Sequence, residues 1–384
     1  MTGRERLLKA VNHETPDRFP IDLGGNQTGI HNKAYRELIQ HLGIKDDDVK
    51  IMDCVQQLAQ PCEELLERFH VDTRYVSATG GADFKFEILK NKRNGKLWHD
   101  FTDEFGVRWS MPDDQQLYMD ITHHPLANAT IADVKNYPFP KGDDPARFAG
   151  LREMAMDIKN NSPYAVISGI SGVVYEICWY MRGMERWYTD MLTEPEFCEA
   201  MLDQTLKFWM NWFKLFLKEV GDVVDVIMIG DDLTGQHGPL FMPKFYRSIV
   251  KPRQKKLAQF IRANSNAKLW YHTCGNCNEY IPDLVDNGVQ ILNPVQVSAD
   301  NMDPVVLKKK YGKDLVFWGG GCDSQHILAF GNTEEVKQDV RKNVNALKPG
   351  GGYVFNNVHN IQASVPAKNI VTMYDTAYEN SFYK

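Results

Sequence analysis

The stretch "KLWYHTCG" (268–275) decides how the rest of the chain is read. It begins as an apolar, aromatic run and ends in His, Thr, Cys and Gly. A strand covered on both faces reads as a nearly continuous apolar run rather than an alternating one. Seven further runs share this character: "FPIDLGG" (19–25), "TRYVSA" (73–78), "YAVISGISG" (164–172), "DVIMIGDD" (225–232), "VQILNPVQ" (289–296), "LVFWGGG" (315–321) and "GYVFNNVH" (352–359). Each closes in or near Gly, Asp, Asn or His.

Helical patterns separate the runs. Residues 196–221 end in Gly, a favourable stop. Residues 243–265 begin with Pro, and Pro252 inside them predicts a kink. Residues 332–352 carry Asn332 and Thr333 as candidate caps, acidic groups in the first turn and a Pro-Gly stop. Eight β-runs alternating with helices predict an α/β fold of parallel βα units. Eight, rather than five or six, favours a closed (β/α)8 TIM barrel over an open sheet. Residues 1–384 then form one barrel domain. Two regions stand outside the repeat: 1–18 and 32–70 read as helical N-terminal elements, and 80–125 as a β-hairpin excursion. A further helix is expected at 144–160.

Composition excludes several classes. The 384 residues are 43% hydrophobic, ample for a large core, and the net charge of −6 comes without a long Lys/Arg run. Nucleic acid and anionic membranes are therefore not expected partners. No apolar run approaches the roughly 18 residues that span a bilayer. The N-terminal stretch lacks the apolar segment and cleavage site of a signal peptide, so a cytoplasmic location is expected. Seven irregularly spaced Cys (54, 62, 178, 198, 274, 277, 322) argue against a disulfide framework and leave metal or catalytic roles open.

In a barrel of this kind chemistry collects at the C-terminal mouth. Zinc takes thiolate and imidazole ligands, and a catalytic site needs three of them plus an open position. Residues i and i+2 of an extended strand point the same way, so His272 and Cys274 can both face the barrel axis. Cys322 lies two strands further on, and alternate strands share an interior layer. The competing reading is packing residues plus one hydrogen-bonded His, and spacing alone does not separate the two. Cys277 reads as a small buried hydrophobe rather than a ligand or half of a redox dithiol. Asp231 and Asp232 are candidate catalytic acids or orienters, set against a helix N-cap. His359 is a candidate catalytic or substrate-contacting group, a further metal ligand or a core His. Asn293, Gln296 and Asn356 are candidate substrate-binding groups. Nucleotide-binding glycine loops are absent. "SGISG" (168–172) misses the G-x-S-x-G spacing, so Ser171 reads as a turn residue.

Several phrases together resemble the uroporphyrinogen decarboxylase-like superfamily: "RERLLKAVNHETPDRFPIDLGG" (4–25), "HTCG" (272–275), "ILNPVQ" (291–296), "FWGGGCDSQ" (317–325) and "VFNNVHNIQASVPAKNI" (354–370). The likeness runs over nearly the whole chain and implies a (β/α)8 barrel. One branch of that superfamily decarboxylates a tetrapyrrole polycarboxylate without a cofactor and carries an Arg-rich stretch after the first strand. Here that position, "GGNQTGIHNKAYREL" (24–38), holds Arg36 as its one Arg. The other branch comprises corrinoid-dependent methyltransferases, whose zinc is held by a His-x-Cys motif and a distant Cys. His272 and Cys274 match the motif, and Cys322 is the candidate for the third ligand; some members place the later Cys nearer the position of His359.

The resemblance therefore implies a methyltransferase with Zn2+ and with a corrinoid (cobalamin) carried by a partner protein. Its substrate is expected to be small and methylated, with a methoxylated aromatic favoured, so that the chain serves in O-demethylation. The alternatives are a cofactor-free decarboxylase, a methylcorrinoid:thiol methyltransferase, and a non-catalytic scaffold. The residues that bind the cofactor, the methyl donor and any homo-oligomer stay open.

Overall fold

The apolar runs become the staves of a barrel. In the computed structural model, which describes residues 1–383, seven of them form one parallel sheet in chain order. They are Thr73–Tyr75, Ala165–Gly169, Val226–Gly230, Lys268–His272, Ile291–Asn293, Val316–Trp318 and Tyr353–Val354. The run nearest the N-terminus fills the remaining gap. Ile21 bridges Phe355 in parallel, Phe355 N–H donates to the Pro20 carbonyl at 2.8 Å, and Asp72 N–H donates to the Ile21 carbonyl at 2.8 Å. With both neighbours engaged, the ring closes as a (β/α)8 barrel. The strands are counted from the first (19–25) to the eighth below.

Period-two alternation sorts their side chains. Ile167, Met228, Trp270, Ile291, Trp318 and Val354 form the barrel interior, and Leu7 and Val11 of the helix Gly3–Val11 join the same cluster. The N-terminal helix therefore plugs the barrel from below. Trp270 and Trp318 stack face to face at 4.8 Å, a floor beneath the mouth. Their neighbours Tyr271 and Phe317 face the surrounding helices.

Closure is also ionic. Asp72, just before the second strand, accepts from Arg6 at 2.7 Å, from Arg18 at 2.8 Å and from the Ile21 backbone N–H at 2.9 Å. One carboxylate thus ties the plug helix and the first strand to the second.

The helices largely follow their sequence signals. Pro195–Val220 begins on Pro and stops at Gly221. Asn332 caps Thr333–Leu347 in a reciprocal box with Glu335. The expected kink near Pro252 is taken up by a π-turn, Tyr246–Val250, that leads into Lys251–Asn264. Proline cannot donate the missing backbone bond, so the chain widens before it.

Two regions differ from expectation. Within 32–70 only Asn32–Leu42 and Glu63–Arg68 are helical; Ile51–Asp53 and Leu58–Ala59 form a three-stranded antiparallel sheet with Ile30–His31. The excursion holds four antiparallel strands rather than two: Ile88–Arg93, Lys96–Thr102, Arg108–Pro112 and Asp120–His123. Its first hairpin turns on Asn94-Gly95, both at positive φ (50° and 77°), as a two-residue hairpin loop requires. Among the described residues, no helix is long and apolar enough to cross a membrane.

Asp72→Asn leaves the buried Arg18 without its counter-charge and Arg6 with Asp17 alone. Equilibrium urea unfolding is expected to show a loss of about 3–5 kcal/mol. A loss below about 1 kcal/mol, in the range of an exposed ion pair, would show that closure does not depend on this carboxylate.

Candidate metal centre

His272 is the last residue of the fifth strand and only 2% exposed. Directly opposite on the sixth strand stands Asn293. The Asn293 Nδ2 donates to the Trp318 carbonyl at 2.9 Å, which turns its Oδ1 toward His272 Nδ1 at 2.6 Å. An amide oxygen only accepts, so Nδ1 carries the proton and the Nε2 lone pair stays free. That lone pair faces Cys274 Sγ, 3.4 Å away. Burial pushes the His272 pKa down to about 4, and the ring is neutral at ordinary pH.

Two residues beyond, Cys274 donates its backbone N–H to Asp232 Oδ1 at 2.8 Å. Burial, and then the Asp232 charge, hold its thiol well above the usual range. His359 arrives from the loop after the eighth strand, its ring edge-on to His272 with centroids 5.2 Å apart. Desolvation, then His272, lowers its pKa to about 3. The ligand atoms of His272, Cys274 and His359 all lie within 4.8 Å of one another, so the three could hold a metal ion. Gly319 makes room for this convergence. Its φ is +106°, and a Cβ there would meet the Asn357 carbonyl at 3.1 Å and Asn293 Nδ2 at 3.5 Å.

Cys322 is not in this group. Strand alternation from the inward-facing Trp318 would aim it at the axis, but Gly319 and Gly320 both take positive φ (106° and 73°) and break the alternation. The thiol is fully buried, and after burial its largest influence is Asp339 of the helix Thr333–Leu347. Cys277 is buried as well, pushed up to about 12 by desolvation, and all seven cysteines are free thiols.

Asp231 and Asp232 point to opposite sides. Met228 and Gly230 share the inward phase of the fourth strand, which sends Asp231 outward and Asp232 into the mouth. Asp231 accepts from the backbone N–H groups of Val174, Tyr175 and Glu176 and from Gln254 Nε2, so it caps the helix Glu176–Arg182. All its acceptor capacity is spent on the scaffold. It caps the helix of the preceding βα unit, not the following one. Asp232 Oδ1 lies 3.9 Å from His272 Nε2, and burial raises its pKa.

The three amides fare differently. Asn293 is spent on His272. Gln296 accepts from the Gly275 N–H at 2.7 Å and donates to Gln236 at 2.9 Å, which steadies the loop around Cys274. Asn356 donates to the Asp22 carbonyl at 3.1 Å, while its buried Oδ1 has no partner. Asp22 itself accepts from Trp318 Nε1 at 2.8 Å and from the Tyr75 hydroxyl at 3.0 Å.

Sequence reasoning missed two polar groups at the mouth. Glu176 is buried, and its carboxyl pKa is raised well above the usual range by desolvation and by Asp232. In the sequence it reads as an ordinary acid in a helix first turn. Tyr118 belongs to the excursion, and its hydroxyl accepts from Gln362 Nε2 at 3.0 Å. Nothing in the local pattern around Tyr118 marks it.

Comparison with known proteins agrees with this architecture. The sequence pattern of the family "Uroporphyrinogen decarboxylase (URO-D)" matches residues 102–380. A uroporphyrinogen decarboxylase of Alkalilimnicola ehrlichii is 20% identical over 398 aligned positions, which cover 98% of this chain and 94% of that protein. A methyltransferase from Methanosarcina mazei superimposes with a TM-score of 0.63 at 18% identity and covers 99% of both chains, a likeness of fold. With the family pattern matched over most of its length, the chain belongs to the uroporphyrinogen decarboxylase family.

Proposed function

We propose that this protein is a zinc-dependent methyltransferase, which moves a methyl group from a small methylated substrate to a corrinoid carried by a partner protein. The observation that supports it is the convergence of His272, Cys274 and His359 at the barrel mouth. One thiolate and two imidazoles suit zinc and not magnesium or calcium. His272 also has its second nitrogen bonded to Asn293, the arrangement that fixes a metal-binding tautomer. On this reading His359 takes the role that the sequence offered to Cys322. Three protein ligands leave one position for substrate. Zinc there would act as a Lewis acid on the heteroatom that gives up the methyl group, and the corrinoid would supply the nucleophile.

The chain's own residues do the remaining work. Asn293 holds the His272 lone pair in place. Asp232, whose pKa burial raises, accepts from the Cys274 backbone N–H and stands at the mouth as the carboxyl group for proton exchange. The Trp270–Trp318 stack closes the barrel below and keeps water from entering there. The unpaired Asn356 Oδ1 offers an acceptor to a substrate donor. A methoxylated aromatic is the favoured substrate. A cavity of about 190 Å³ beside the second, third and fourth strands is lined by Tyr75, Ser168, Met228, Trp209 and Trp212, together with Asp53, Glu104 and Arg147; it is of a size for a single ring, and none of the three metal-binding side chains lines it.

The rival is decarboxylation, the activity in the name of the Alkalilimnicola relative. A substrate with many carboxylates wants free guanidiniums. Arg36 instead is exposed on the helix Asn32–Leu42, bonded to Asn32, and Arg147, which lines the cavity, is paired with Glu104.

Metal analysis of purified variants separates the readings. One zinc per chain is expected in the native protein and in Cys322→Ala, with loss in His272→Ala, Cys274→Ala and His359→Ala. Asn293→Ala is expected to weaken zinc affinity by about 10–100-fold. A metal-free protein that decarboxylates would end the proposal.

The protons displaced by zinc give a second check. Both imidazoles are already neutral and Cys274 is a thiol, so binding near neutral pH releases one proton. The apparent affinity then rises about tenfold per pH unit across roughly pH 6–8. Calorimetry in buffers of different ionisation enthalpy reads this number, and release of two protons would point to a second thiolate.

Activity is tested by methyl transfer to reduced cobalamin from methoxyaromatics, methylated thiols and methylated amines. The zinc-loaded protein is expected to demethylate the methoxyaromatics. Failure with all three classes would sink the methyl-transfer reading.

A further inference from the structure

Three charged side chains line the cavity beside the second, third and fourth strands: Asp53, Glu104 and Arg147. Arg147 is 2% exposed, and its Nη1 and Nη2 donate to the two oxygens of Glu104, the former at 2.8 Å. Its Nε donates to the Lys141 carbonyl at 2.8 Å. A second carboxylate crowds it: Asp144 Oδ2 and Arg147 Nη2 lie 2.9 and 3.2 Å from the point that a Cβ on Gly81 would occupy. Asp53 accepts from the backbone N–H groups of Val55 and Gln56 and from Gln56 Nε2, each at 2.9 Å, and pairs with no cation among the described residues. The guanidinium is thus neutralised, and the cavity wall keeps a net negative charge.

Two neutral groups of the same wall lack partners. Trp209 is 4% exposed and its indole N–H meets no acceptor; Asn26 Oδ1 is enclosed and meets no donor. A buried polar group without a partner costs about 1–3 kcal/mol, so a ligand that satisfies both is favoured. An oxygen acceptor suits the indole, and a hydroxyl hydrogen suits the amide. Trp212 and Tyr75 add aromatic surface. One turn separates the cavity from the candidate metal centre. Gly169 and Ile170 line the cavity. The next residue, Ser171, has its Oγ 2.6 Å from the point that a Cβ on Gly230 would occupy, and His272 Cβ stands 2.7 Å from that same point.

We infer that this cavity takes a neutral aromatic ring bearing a hydroxyl group, and that Glu104, by occupying Arg147, makes it reject carboxylated rings. For the methyl donor this means a methoxyphenol rather than a methoxybenzoate, a conclusion that rests on the methyl-transfer reading above. A ring carboxylate would enter with no free cation to receive it and with Asp53 and Glu104 beside it. A quaternary ammonium would suit the charge but leave the indole N–H without an acceptor. Glu104 is therefore a specificity-determining residue that acts through Arg147.

Binding is measured by calorimetry on the purified protein with zinc and without corrinoid, so the result does not depend on turnover. Native protein is expected to bind 4-methoxyphenol at least about 30-fold more tightly than 4-methoxybenzoate or tetramethylammonium. In Glu104→Gln the guanidinium is freed, and affinity for the benzoate is expected to rise at least about tenfold while that for methoxyphenol changes less than about threefold. Trp209→Phe keeps an aromatic ring and removes the N–H; methoxyphenol is expected to weaken about three- to tenfold, and toluene, which offers no oxygen, not to weaken. If Glu104→Gln does not fold, the native preference and Trp209→Phe decide the matter. Benzoate or tetramethylammonium bound as tightly as methoxyphenol, or no binding of any probe, overturns the inference. Methyl transfer to reduced cobalamin is followed alongside. If methoxyphenol binds with the stated preference and no methyl group moves, the cavity assignment stands and the methyl-transfer reading falls; if methoxybenzoate is demethylated as readily as methoxyphenol, the inference falls alone.

Discussion

Asp72 accepts hydrogen bonds from two buried guanidiniums and from the backbone of Ile21, and the position of the first strand follows from that arrangement. The first strand has few regular ladder bonds of its own. Held there, it meets the eighth strand at Phe355 and closes the ring. Closure matters at the opposite end of the barrel. Only in a ring do the fifth strand and the loop after the eighth approach each other across one mouth, as His272 and His359 do. A break at the N-terminal edge would therefore be felt at a site built almost wholly by the C-terminal half.

At that site a single amide sets the chemistry. Asn293 has one donor group and one acceptor, and the Trp318 carbonyl claims the donor. What remains can only accept, so the protonation pattern of His272 is dictated two strands away. The floor and the site are coupled through the same residue, because the Trp318 indole also donates to Asp22. Shifts in this stacked pair would be transmitted to the imidazole through one hydrogen bond.

The barrel was legible because doubly buried strands leave long apolar runs, and all eight runs fall where strands or the closing segment lie. His272 and Cys274 were legible for the same reason: they sit at the end of a regular strand, where counting by two works. Counting failed at Cys322, since two left-handed glycines intervene and no periodicity rule carries across them. Asp231 and Asp232 were indistinguishable as neighbours until the phase of the strand assigned one to the helices and one to the mouth. The small sheet at 30–59 escaped notice because its two- and three-residue strands are too short to show a period, and the outer strands of the excursion, Ile88–Arg93 and Asp120–His123, because they are largely exposed and bury no alternating face. Tyr118 could not be found from sequence, as the Gln362 amide that donates to it lies more than two hundred residues away.

The turn at Gly319 and Gly320 has a further effect, through charge. With Cys322 facing Asp339, the ligand set proposed above contains one thiolate and two neutral imidazoles. A divalent ion held this way keeps a net charge of about +1, where a second thiolate would cancel it. Such a centre withdraws electrons more strongly from whatever occupies its fourth position, and it favours an occupant that becomes anionic as it reacts. On that proposal, two glycines that deflect one cysteine would tune the electrophilicity of the whole mouth.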